Sequence, residues 1–271
     1  MRRALRVVSS LSPRLAGQWV NFLWYRTHCV KVRPREQRLL DEAEWITVRL
    51  QGRTVQCYSC GNGPAVLLVH GWNGRAAQMM PIAEALAERG FRVVAFDAPA
   101  HGKSAGKRTE LPIISGVIKQ LAEQFGPFSA AVTHSFGGMC LLHAIHQGMS
   151  VERIVCIAPP LDVKTLVDQF ANLLRLPEKV VDVQKGLLEK RFGENLWSQF
   201  SMTGWVKNLG IPGLIIHDEE DSYVSVDDGK LIARTWPNSE LLLTAGLGHN
   251  RILISRTTLD RLSVFLEPLL A

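Results

Sequence analysis

The sequence predicts an α/β fold, a mostly parallel central sheet with helices on both faces and a small helical insertion. Three observations carry this. Short apolar runs alternate with helix-like patterns over most of the chain. The runs at Ala65-Val66-Leu67-Leu68-Val69 and Ala130-Ala131-Val132-Thr133 lack the polar alternation of a half-exposed strand, as expected for strands buried on both faces of a parallel sheet. Polar and glycine-rich clusters follow such runs, at the strand ends where open parallel sheets gather their sites.

Composition sets the frame. The chain has 271 residues, 46% hydrophobic and 21% charged, which fits one globular α/β domain with a buried core rather than a disordered chain. Cys29, Cys57, Cys60, Cys140 and Cys156 form no even, closely spaced framework, so a disulfide scaffold is not expected. Cys57-Tyr58-Ser59-Cys60 has no second pair and no His ligand beside it. It reads as two thiols on a strand near the sheet edge rather than a metal or redox site.

The net charge of +6 is concentrated at one end. Residues 1–38 hold nine Lys/Arg and one acid, a local +8, so the remainder sums to −2. A nucleic-acid enzyme would carry its positive charge around a groove in the body, so no nucleic-acid partner is expected.

Taken in order, Met1 to Tyr25 spaces Leu5, Val8, Leu15, Trp19, Phe22 and Leu23 on one helical face, with Arg2, Arg3, Arg6 and Arg14 nearby. Its longest uncharged stretch, Leu15 to Tyr25, is 11 residues, against the roughly 20 needed to span a bilayer. Pro13 and Arg14 interrupt the apolar region of the N-terminal segment, which weakens a secretory-signal reading. Two readings stay open: the segment docks on the protein's own surface, or residues 1–30 lie peripherally on an anionic membrane. A cytoplasmic location is expected, free or at the membrane.

Alternation begins at Trp45 to Leu50, turns at Gln51-Gly52 and returns over Thr54 to Tyr58, a hairpin pattern. After the Ala65–Val69 strand the pattern predicts helix 76–89, strand 91–96, helix 112–125, strand 129–133, helix 136–148 and strand 152–158. Strand 211–217, helix 226–236, strand 240–245 and a final helix near 252–269 complete it. Between Pro160 and Val206 helical patterns recur at Thr165 to Leu174 and Val180 to Phe192. An excursion of that length exceeds an ordinary connection and reads as a small helical lid. The expected division is a basic amphipathic extension over 1–40, a core over 41–160 and 207–271, and a lid over 161–206.

The Ser in Thr133-His134-Ser135-Phe136-Gly137 has no room for a loop between strand and helix, so its hydroxyl is expected at a sharp turn. A serine alcohol needs an imidazole to take its proton and a carboxylate to fix the tautomer. Ser135, Asp221 and His249 arrive in that order, each after a different strand. Charge developing on an attacked carbonyl needs donors, and the backbone N–H groups of Phe136 and Trp72 are the candidates. Trp72, Met139, Phe170 and Trp197 are candidates for the substrate pocket. His70 and His101 are expected to hold loops by hydrogen bonds.

With these residues in view, the chain resembles an α/β-hydrolase-fold serine hydrolase of the lipase/esterase-like branch, from about Glu44 to the C-terminus. His70-Gly71-Trp72 is similar to the family's oxyanion loop, and Asp97-x-Pro-x-His101-Gly-x-Ser104 to a loop of that branch. Asp221 and His249 match the acid and base positions. Two departures stand out. Thr133 occupies a small position usually filled by Gly, which predicts altered packing of the adjacent helix, and Asp218 stands where Gly is common. The resemblance implies cleavage of small-molecule carboxylic esters through an acyl-enzyme, and with no P-loop, dinucleotide fingerprint or metal-ligand cluster in the sequence no cofactor or metal is expected. Thioester or other acyl hydrolysis is the alternative, and a catalytically silent scaffold binding a ligand or partner is the rival of a different class. Acyl length, alcohol group and oligomeric state are not legible here.

Overall fold

The computed structural model describes residues 1–28, 36–37, 41, 43–50 and 52–271. Cys29, Gln51 and parts of the expected 1–40 extension lie outside them. Among the described residues eight strands form one sheet: β1 (Glu44–Leu50), β2 (Arg53–Cys60), β3 (Ala65–Val69), β4 (Arg92–Phe96), β5 (Ala130–His134), β6 (Arg153–Ile157), β7 (Gly213–Asp218) and β8 (Ser239–Thr244). Their order is β1-β2-β4-β3-β5-β6-β7-β8. β1/β2 and β2/β4 are antiparallel, and every other pair is parallel. The all-apolar strands lie centrally for the expected reason: β3 and β5 are buried at every residue.

Helices cover both faces. α3 (Ala76–Ala87) and, near the C-terminus, α12 (Arg256–Leu266) pack on one side through residues such as Met79, Ile82, Leu262 and Phe265. α4 (Leu111–Phe125), α5 (Phe136–His146) and α10 (Val226–Thr235) contribute to the other. Between β6 and β7 stand four helices, α6 (Val163–Leu174), α7 (Glu178–Phe192), α8 (Leu196–Gln199) and α9 (Met202–Val206). Cys57 and Cys60 share β2 but join opposite core layers, as residues three apart on a strand must. The expected last helix begins with the short α11 (Gly248–Arg251) and a 3₁₀ turn before α12.

The N-terminal segment departs from the single helix expected. It forms α1 (Arg2–Leu11) and α2 (Pro13–Trp24), broken at Ser12 with φ −155° and ψ 102°. The Pro13 ring forces the preceding residue out of the helical region, and the Ser12 hydroxyl then caps α2 by accepting from Leu15 N–H at 3.3 Å. This hairpin docks on α6 and α7: Leu5, Ala16, Val20, Leu174 and Val180 form a third buried cluster. Gly17 permits the approach, since a Cβ there would stand 2.4 Å from Val183 Cγ1. Burying side chains such as Leu5 and Val20 stabilises by about 2 kcal/mol each, enough to hold the hairpin to the body. Among the described residues no helix is long and apolar enough to cross a membrane.

Candidate active site

Ser135 lies between β5 and α5 with φ 52° and ψ −127°. Such a backbone costs about 1–3 kcal/mol and persists only where its surroundings fix it. Here Ser135 N–H donates to Ile157 O at 2.8 Å, and Gly138 N–H to Ser135 O at 3.0 Å. Gly137 allows α5 to press on β3, because a Cβ would meet Val69 O at 2.5 Å. Thr133 is accommodated by two features. Its hydroxyl donates to Val155 O at 3.2 Å, and Gly138 lies opposite, where even a Cβ would stand 3.3 Å from Thr133 Oγ1.

The loop after β3 meets this turn directly: a Cβ on Gly71 would stand 2.9 Å from Ser135 Cβ. Gly74 N–H closes a turn onto Gly71 O at 2.9 Å, with Asn73 left-handed at φ 56°. Trp72 and Phe136, whose N–H groups are the candidate donors, have rings perpendicular with centroids 5.4 Å apart. The loop histidines do what the sequence suggested. His70 donates from Nδ1 to Gly71 O at 2.7 Å and accepts Ala98 N–H at Nε2 at 2.9 Å. His101 donates to Pro99 O at 3.0 Å and accepts Asn73 N–H at 3.1 Å. Burial lowers these imidazoles to about 4 and about 3, and each needs its neutral form to accept.

Asp221, in the loop after β7, and His249, in α11 after β8, come together. His249 Nδ1 is 2.7 Å from Asp221 Oδ2. Asp221 Oδ1 accepts Tyr223 N–H at 2.8 Å and Val224 N–H at 2.9 Å. Burial pushes the Asp221 carboxyl up, but hydrogen bonds from His217, His249 and Val224 N–H outweigh it and hold it well below the usual range. Asp162, after β6, caps α6 by accepting Thr165 N–H at 2.7 Å. Glu219 and Glu220 are exposed.

Three positioning contacts are not foretold by the motif. Asp218 is fully buried and accepts from Thr244 Oγ1, Leu247 N, Gly248 N and Glu220 N at 2.7–3.1 Å. His217, also buried, places Nε2 3.5 Å from Asp221 Oδ2. His134 donates from Nε2 to His249 O at 2.9 Å, its ring 4.6 Å from the His249 ring. The signals were the acid in a glycine position and histidines beside the motif residues, though neither disclosed a partner.

Of the pocket candidates, Trp72 sets its ring against Phe136. Met139 is fully buried in the core, Phe170 packs edge-on against Trp24 at 5.4 Å, and Trp197 donates to Glu189 at 2.7 Å.

Residues 62–196 match a family model described as serine aminopeptidase, S33. A pimeloyl-[acyl-carrier protein] methyl ester esterase of Stenotrophomonas maltophilia is 25% identical over 233 residues, 70% of this chain and 87% of that protein. The enzyme of the same description from Vibrio atlanticus is 31% identical over 106 residues, 39% of this chain and 40% of that one. In fold, the chain resembles an esterase of Pyrococcus furiosus with TM-score 0.68 and 20% identity, over 91% of this chain and 97% of the other. Its sheet order and these likenesses give the chain the α/β-hydrolase fold, in the company of serine hydrolases and esterases.

Proposed function

We propose that the protein cleaves carboxylic esters with Ser135 as nucleophile, His249 as base and Asp221 as the acid that orients it. The observation that carries this reading is the 2.7 Å contact between Asp221 Oδ2 and His249 Nδ1. It commits Nδ1 to donation and leaves Nε2 as the atom able to take a proton. Ser135 Oγ attacks the ester carbonyl as its proton passes to Nε2. Phe136 and Trp72 N–H groups hold the oxyanion, and His249 then protonates the departing alcohol. Water, deprotonated by the same nitrogen, releases the acid from the acyl-Ser135 ester and restores the hydroxyl.

The Stenotrophomonas relative is named for a methyl ester of an acyl chain on a carrier protein. A small alkyl ester of an acyl chain is therefore the substrate class favoured here. The helices over residues 161–206 serve as a lid over the acyl side, with Trp72, Met139, Phe170 and Trp197 as the side chains whose exposure changes as it moves. The outward face of the hairpin exposes Val7, Leu11 and Leu15 among Arg2, Arg3, Arg6 and Arg14, a pattern suited to peripheral contact with anionic lipid.

The decisive experiment is a chain-length series of esters with purified protein, alongside fluorophosphonate labelling. Turnover and label should both vanish in Ser135→Ala. Undiminished turnover in that variant, or a folded wild type that takes no label, would overturn the reading.

A further inference from the structure

The Gly71–Gly74 turn is braced by the core on one side and by the N-terminal extension on the other. His101 Nε2 takes the Asn73 N–H from the core. The Asn73 side chain is engaged from the extension, its Oδ1 accepting His28 N–H at 2.8 Å. Arg75, directly after the turn and almost fully buried, pairs with Glu36 at 2.5 Å. The neighbouring loop is held from the same segment: Thr27 Oγ1 donates to Ala100 O at 2.5 Å, where Ala100 is left-handed at φ 68°. Ala100 adjoins His101, so this bond supports the residue that grips Asn73. Backbone contacts continue the path, with Thr27 N–H to Lys107 O, Thr109 N–H to Tyr25 O, and a bridge between Arg26 and Arg108. At its other end the segment is anchored to the helices between β6 and β7, through Trp24 on Phe170 and the Arg191 guanidinium against Tyr25.

We propose that the N-terminal extension is a positioning strap for the oxyanion turn, with Thr27 and His28 fixing the loops that aim the Trp72 N–H. The proposal rests on the reading of Trp72 as an oxyanion donor. A donor acts only at hydrogen-bond distance from the charge it meets, so a turn left free to shift by about 1 Å forfeits much of its effect. Asn73 supplies the physical link. Its left-handed backbone is tolerated by Asn and Asp better than by most residues, and its side chain is the acceptor that only the extension fills among the contacts above. The strap differs from a simple cover because it acts on transition-state charge, which shows in kcat, rather than on binding, which shows in KM.

The test uses the full chain with Thr27→Val, which removes one donor at nearly constant shape, His28→Pro, which removes the other, and their combination. Asn73→Asp keeps the acceptor and the backbone preference. Three quantities are read: kcat and KM for a short-chain aryl ester, the melting temperature, and amide hydrogen exchange across residues 71–75. The strap predicts a drop in kcat of about tenfold in the double variant, with KM changed by less than about twofold. Exchange should quicken at Trp72 and Asn73 while the central strands keep their protection, and Asn73→Asp, which keeps the acceptor, should hold wild-type exchange at these residues. Unchanged kcat and exchange, or quickened exchange throughout the chain with a lower melting temperature, would overturn it. Absence of Ser135-dependent turnover in the wild type would sink the esterase reading instead, and the exchange at residues 71–75 would still judge the strap.

Discussion

Asp218 Oδ1 accepts the Gly248 N–H at 2.8 Å, joining the end of β7, just before Asp221, to the start of α11, which carries His249. Burial raises the Asp218 carboxyl, but hydrogen bonds from Thr244, Gly248, Leu247 and Glu220 outweigh it and keep the group ionised. Asp218→Ala would leave these donors facing an uncharged gap. We expect a loss of about 3 kcal/mol in urea unfolding and a fall in kcat, with Asp218→Asn milder in both. A variant of full stability and full kcat would contradict this role.

Asp221→Asn removes the charge that orients the His249 ring while preserving shape. The expected result is a fall in kcat of about 10⁴-fold at neutral pH with little change in fold. Steady-state kinetics and circular dichroism check both halves.

Gly137→Ala tests the close approach at the Ser135 turn. Its Cβ would meet two carbonyl oxygens, Val69 O at 2.5 Å and His70 O at 2.7 Å. Backbone cannot yield as a flexible side chain can, so destabilisation of about 2–3 kcal/mol is expected by chemical denaturation.

Stability should fall with acidification before the carboxylates titrate. His70, His101 and His134 lie at about 4, about 3 and about 3, lowered chiefly by burial. Each folded value is below the unfolded value of about 6.5, so between them the unfolded chain binds protons that the folded chain does not. Their stabilising effect is complete above about pH 6.5 and shrinks as pH falls toward 4. Asp97, pushed up by burial against the Lys103 and Ala76 N–H bonds, acts in the opposite sense nearer the carboxylate range. Thermal melts should be steady at neutral pH and decline below about 6, with a shallower decline in His134→Gln. A flat profile across that interval would refute the assignment.

Gly17→Leu should detach the hairpin, since its side chain would occupy the space of Val183. Trypsin cleavage after Arg14 should accelerate while the core melts cooperatively. Binding to anionic vesicles is checked separately: Arg2, Arg3 and Arg6 changed together to Glu should weaken it, leaving neutral vesicles unaffected.

Local pattern made much of the site legible. The β5 run ending at Ser135 announced a strand with no loop after it, and the helix beginning at Phe136 left the turn no alternative. Asp221 was harder to single out, because Asp218, Glu219 and Glu220 crowd the same loop. Their separation appears only in three dimensions, where Asp221 meets His249 and Asp218 turns inward to the loop backbone. The hairpin break at Ser12-Pro13 was present in the sequence as a proline signal, but helical periodicity across it predicted one continuous face.

The order of strands and helices, the place of the Ser135 turn and the sequence of Ser, acid and His follow from the chain itself, because period, proline and glycine act over a few residues. Tertiary structure decided what long-range contact decides: which acid faces His249, where the amphipathic leader buries its inner side, and that His28 reaches Asn73 across 45 positions of sequence. A backbone N–H carries no residue-type signature, so that last contact could be found only in the folded chain.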